Sequence, residues 1–81
     1  MIPLYGFVHG DTLGLVILAD PDETFRVLAS RLQSAASVRV PPCASIRVLC
    51  EGREAPLDAK LASFSVRPLA RIDLIPGEGE P

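Results

Sequence analysis

Apolar residues along this chain fall in short clusters parted by turn-forming residues, and their spacing changes from cluster to cluster. Ile2 to His9 carries Tyr5, Phe7 and Val8, residues that suit a pleated surface, and predicts a first strand. Gly10-Asp11 is a turn signal, after which Leu13 to Ala19 predicts a second strand and hence a hairpin. Leu15, Val16, Ile17 and Leu18 are consecutive apolar residues. They give no alternation and imply burial on both faces.

The period then shifts. Phe25, Leu28 and Leu32 recur at helical steps and form one apolar stripe, with Arg26, Arg31 and Gln33 off it on the solvent side. Asp20-Pro21-Asp22-Glu23-Thr24 is a helix-start signature open to two registers. Asp20 can cap, with Pro21 at the first helical position and Glu23 closing a capping box, or Thr24 can cap. The helix is expected to run to about Ala36 and to stop before Pro41-Pro42. Ile46 to Cys50 predicts a third strand, Glu51-Gly52 a tight turn, and Arg53 to Leu57 a short fourth strand. Leu61 to Phe64 suits a helical turn, and Arg71 to Ile75 the last strand. The order β-β-α-β-β-β predicts an α+β domain, a mixed sheet of four or five strands packed on one helix. The first and last strands are expected to be parallel neighbours at its centre. The domain is expected to span 1–76, with 77–81 a disordered Gly/Pro/Glu tail.

Length and composition narrow the function. The 81 residues suit one domain with a limited core. Apolar residues make up 48% of the chain, which points to a rich core or to apolar surface that meets a partner. Eight Lys and Arg are scattered without a basic run and the net charge is −2, a pattern that argues against nucleic acid. No apolar run approaches the roughly 20 residues of a membrane span. No signal-peptide pattern opens the chain either, so the expected location is cytoplasmic.

Candidate chemistry is sparse. Cys43 and Cys50 match neither a redox Cys-x-x-Cys pair nor a zinc knuckle. Cys50 reads as a small core residue and Cys43, after two prolines, as exposed. A disulfide between them can be drawn but is disfavoured in a reducing compartment. The single histidine, His9, sits by the hairpin turn and reads as a surface residue. There is no nucleophile–base pair, phosphate loop or dinucleotide fingerprint. Asp11, Asp20 and Asp22 mark turns and a cap, not a calcium loop. No catalytic, cofactor or metal residue is assigned.

The ordered set of motifs resembles ubiquitin and its β-grasp relatives. It comprises the hairpin, the striped helix, the Pro-Pro pair and the strand before Gly52. Leu61, Phe64 and Val66 follow, and then the closing strand at Ile72. Within that superfamily the chain resembles the protein B family of toluene-4-monooxygenase systems, the ubiquitin-like γ subunit of a multicomponent diiron aromatic hydroxylase. That resemblance rests on the opening hairpin, Asp22-Glu23-Thr24, Val38-Arg39-Val40-Pro41 and Arg47-Val48. It also rests on Val66-Arg67-Pro68-Leu69 and Ile72-Asp73-Leu74-Ile75. YukD-like accessory proteins of type VII secretion share the proline bend and the closing segment, and a stand-alone adaptor is a further alternative.

The resemblance implies a non-catalytic subunit that docks on a larger protein. A diiron site uses clustered Glu residues and Glu-x-x-His motifs, absent here, so any iron would belong to another subunit. Conjugation or sulfur transfer would use a terminal Gly-Gly, whereas Pro76 to Pro81 interrupts its glycines. Aligned on the ubiquitin-like pattern, Tyr5, Phe7, Leu15, Ile17, Val48, Cys50, Ile72 and Leu74 would face the helix. Leu4, Val8, Val16, Leu18, Leu49 and Ile75 would face outward, fringed by Arg47 and Asp73, as a partner-binding surface. Positions matching Leu49 and Ile75 belong to the recognition patch of ubiquitin, while the one matching Asp73 is a histidine there. A shift of one residue in the hairpin would exchange its faces. The sheet face or an edge could also support a homodimer.

Overall fold

A computed structural model describes residues 1–77. The strands are β1 (Ile2–Val8), β2 (Gly14–Ala19), β3 (Ile46–Cys50), β4 (Arg53–Ala55) and β5 (Arg71–Pro76), with one helix, α1 (Phe25–Ala36), and a short 3₁₀ turn at Leu61–Phe64. They form one five-stranded sheet in the order β2-β1-β5-β3-β4. β1 and β5 are parallel and central, and the other neighbours are antiparallel. This is the expected architecture, with α1 across one face. The expected tail lies outside the described residues from 78 on. Gly77 is buried, and its N–H donates to the Ser45 carbonyl at 2.9 Å.

Thr24, and not Asp20, caps α1. Its backbone is extended and its hydroxyl accepts from the Val27 N–H at 3.2 Å. The Asp20–Glu23 pair closes a turn ahead of the helix, with the Asp20 N–H donating to the Glu23 carboxylate at 2.8 Å. A helix start leaves four N–H groups without partners in its own ladder. Here the Phe25 and Arg26 N–H groups donate to the Ala59 and Leu57 carbonyls at 3.1 and 2.8 Å. The return bonds run from Leu61 to Glu23 and from Ala62 to Pro21, both 2.9 Å. The 57–62 segment is thereby stitched to the helix entry.

The core holds Leu4, Val8, Phe25, Leu28, Leu32, Val48, Cys50, Leu61, Ile72 and Leu74, all buried. Phe25 meets the edge of Phe64 at 5.3 Å between ring centroids. Gly6 lies directly beneath Leu32, and a β-carbon there would come within 2.5 Å of the Leu32 Cδ2. The β3–β4 connection is the two-residue turn Glu51-Gly52, with φ of 51° and 84°, the backbone that a tight hairpin demands. Gln33, expected on the solvent side, is half-buried, and among the described residues its amide nitrogen finds no hydrogen-bond partner. Cys43 is half-buried instead of exposed; Cys50 is buried, and both thiols are free. Burial pushes the Cys50 thiol pKa up, with the neighbouring Glu51 charge adding to it.

Candidate docking surface

The sheet face away from α1 is built by strict alternation. Register pairs Leu4 with Ile17 and Gly6 with Leu15, then Gly6 with Ile72 and Val8 with Leu74, all on the helix side. Tyr5 pairs with Val16 and Arg71, and Phe7 with Gly14 and Asp73, on the open side. Farther across, Leu49 lies between Asp73 and Glu54, and Arg47 beside Ile75.

This corrects the expected faces of β1. Leu4 and Val8 are core residues at 0% and 5% exposure, while Tyr5 and Phe7 face outward. The exchange is confined to that strand: in β2, Leu15 and Ile17 pack on the core, and Val16 and Leu18 are exposed. The physical cause is room. Leu32 presses on β1 at Gly6, so the residues flanking this contact are the compact Leu4 and Val8. An inward Tyr5 would also bury its hydroxyl, which costs free energy unless a partner is found.

The open face has two halves. On β2 and β1 it is apolar. Val16 and Leu18 are exposed, and the Tyr5 and Phe7 rings pack at 4.9 Å between centroids. Gly14 makes space for that pair, because a β-carbon there would lie 2.6 Å from the Tyr5 ring. On β5, β3 and β4 the face mixes half-buried Leu49 and Ile75 with ion pairs. Arg47 grips the Glu54 carboxylate with two hydrogen bonds, 2.9 and 3.1 Å, and holds its pKa below the usual carboxylate range. Arg71 pairs with Asp73 at 3.0 Å while its guanidinium carbon sits 4.2 Å from the Phe7 ring centroid, a cation–π contact. Arg47 and Asp73 thus enter the face as members of ion pairs.

Of the residues singled out in the sequence, Val16, Leu18, Arg47, Leu49, Asp73 and Ile75 share this face. Tyr5, Phe7 and Arg71 were missed. Gly6 between two aromatic residues was the available signal, since a glycine in a strand marks a close approach on one side. Arg53 stands over Phe64 at 5.0 Å on the opposite side of the sheet. There it rims a depression of about 170 Å³ with Cys50, Glu51, Ser65 and Arg67. Among the described residues no group of three or more His, Cys, Asp or Glu side chains gathers to hold a metal, and no helix is long and apolar enough to cross a membrane.

No family model matches the chain, and no curated protein matches it by sequence. Solved structures do match. A chain of the toluene 4-monooxygenase HD complex with the inhibitor 4-bromobenzoate aligns at a TM-score of 0.85 and 20% identity, covering 94% of this chain and 98% of that one. Ubiquitin of Caldiarchaeum subterraneum aligns at 0.75 and 17%, covering 99% and 98%. ATBAG1, in complex with HSP70, aligns at 0.76 and 16%, covering 98% of this chain and 42% of that one. At these identities the likeness is one of fold, and the fold is the ubiquitin-like β-grasp.

Proposed function

We propose that this chain is a non-catalytic ubiquitin-like subunit that docks on a larger protein through its open sheet face, in the manner of the γ subunit of a diiron aromatic monooxygenase. The observation that carries the reading is the apolar half of that face. Tyr5, Val16 and Leu18 are 43%, 66% and 52% exposed and adjoin one another across β1 and β2, with Phe7 beside them. Contiguous apolar surface of this kind marks an interaction site on a small soluble domain. The flanking pairs Arg71–Asp73 and Arg47–Glu54 supply a polar rim with its charges balanced. Such a rim sets orientation at little electrostatic cost. The similarity to the toluene 4-monooxygenase chain, end to end in both, supports a hydroxylase as the larger protein.

The test is co-expression with the diiron hydroxylase of the source organism. The two should co-elute. Tyr5→Asp and Leu49→Asp should each weaken the complex by tenfold or more, about 1.4 kcal/mol, while circular dichroism stays that of the wild type. Co-elution that survives both substitutions would place docking elsewhere on the molecule. Failure to co-elute would remove the oxygenase and favour a stand-alone ubiquitin-like adaptor.

A further inference from the structure

β2 is an outer strand of the sheet. The Tyr5 and His9 N–H groups donate to the Ala70 and Leu74 carbonyls, both at 3.0 Å. Odd-numbered residues of β1 therefore turn their backbone groups toward β5, and Ile2, Leu4 and Gly6 turn theirs toward β2. Opposite these lie Ala19, Ile17 and Leu15. The remaining residues of β2, Gly14, Val16 and Leu18, aim their N–H and C=O groups off the edge of the sheet. Of these, the Leu18 carbonyl accepts a hydrogen bond from Arg31 Nη2 at 2.8 Å, with Arg31 itself held by Glu23.

Edge strands are ordinarily kept from pairing by a charge, a proline or a bulge. Gly14–Ala19 contains no charged residue and no proline, and its register with β1 is continuous. Val16 and Leu18, which carry edge-directed backbone groups, are also its exposed side chains.

We propose that β2 pairs antiparallel with β2 of a second copy of this chain, making one continuous sheet across a two-fold axis. The segment is complementary to itself. Centred on Val16, the pairing sets Val16 beside Val16 of the other copy and Gly14 beside Leu18 of the other copy. The glycine has no side chain, and the leucine would lie along the Tyr5 ring that fills its place. No like charges meet; the Val16 and Gly14 backbone groups of each copy find partners in the other, and the Leu18 carbonyl, already bonded by Arg31, takes the Gly14 N–H of the other copy on its second lone pair. A two-fold interface of this kind closes on itself and does not propagate. It is small, so association is reversible and depends on concentration.

Sedimentation equilibrium on the isolated chain tests this without any hydroxylase, so its outcome is separate from that of the docking test. The apparent mass should rise from 8.7 kDa toward twice that value with concentration. Val16→Pro removes an N–H directed off the edge and leaves the β1 ladder intact, so it should remain monomeric. Val16→Lys should do the same by charge, at a position 66% exposed where the fold tolerates it. In a Cys43→Ser background, mild oxidation of Val16→Cys should give a covalent dimer, because a hydrogen-bonded antiparallel pair sets its α-carbons about 5.5 Å apart, within disulfide reach. A wild type that stays monomeric to about 1 mM would overturn the proposal. So would a Val16→Lys variant that associates as strongly as the wild type.

Discussion

Leu4 and Tyr5 are adjacent and both apolar, yet they sit in opposite environments, and this pair carries the finest distinction in the domain. Leu4 is fully buried beneath α1, so Leu4→Ala should cost about 2–5 kcal/mol through lost transfer energy and the cavity left behind. Tyr5 lies on the open face, and Tyr5→Ala should cost no more than about 1 kcal/mol, chiefly its packing on Phe7. Urea unfolding of the two variants measures the difference, and equal losses would show that the strand is buried on both sides. The face of β1 was not legible in its sequence for a plain reason. Ile2-Pro3-Leu4-Tyr5-Gly6-Phe7-Val8 is apolar or neutral at every position, so no period of two marks an inside. Hydrophobicity alone favours the larger aromatic side chains inside. Close packing decides otherwise, because Leu32 rests on Gly6, where a β-carbon would come within 2.5 Å of it. β2 is equally apolar, and its faces follow from pairing: once Leu4 is inward, Ile17 opposite it must be.

At the scale of elements, strand order, helix and turns were legible because each carries a local signature. β3 occupies the expected Ile46–Cys50, and α1 ends at the expected Ala36. The helix start is open to two registers in the sequence, since Asp20 and Thr24 are both good caps and local chemistry does not choose. The choice comes from the 57–62 segment, more than thirty positions along the chain, whose carbonyls take the Phe25 and Arg26 N–H groups. A contact at that separation leaves no periodic trace. Thr24→Ala removes the hydroxyl that accepts from Val27 and should destabilise the domain by about 1 kcal/mol. Asp20→Ala leaves that cap untouched and should cost less. Thermal melts of the two variants test the ranking, and the reverse order would move the cap back to Asp20.

On the scale of the whole molecule, the same sheet has a packed face and an open one. The fold was legible from the order of its elements, whereas the open face depended on a register that single strands do not encode. What ties the distal parts together is also non-local. The tip of the β1–β2 hairpin is joined to the segment after α1 by Asp11 and Arg39, whose guanidinium makes contacts of 2.8–3.0 Å to both carboxylate oxygens. The Asp11 side chain is only 2% exposed. Hydrogen bonding from Arg39 holds its pKa below the ordinary value, against the opposing effect of burial, with the Leu13 N–H assisting. A carboxylate whose pKa is lower in the folded than in the unfolded chain binds fewer protons when folded. Its contribution is therefore complete above the unfolded value, about 3.9, and is lost as the pH falls through the folded one. The domain should lose stability on acidification below about pH 5, and the Asp11→Asn variant should lose less over the same interval. Glu54 and Asp58 are also held low, by Arg47 and Arg26, but their loss is common to both proteins and cancels in the comparison. Melting curves at neutral pH and near pH 3 measure the difference. Parallel losses in wild type and variant would mean that the hairpin tip is not anchored through Asp11.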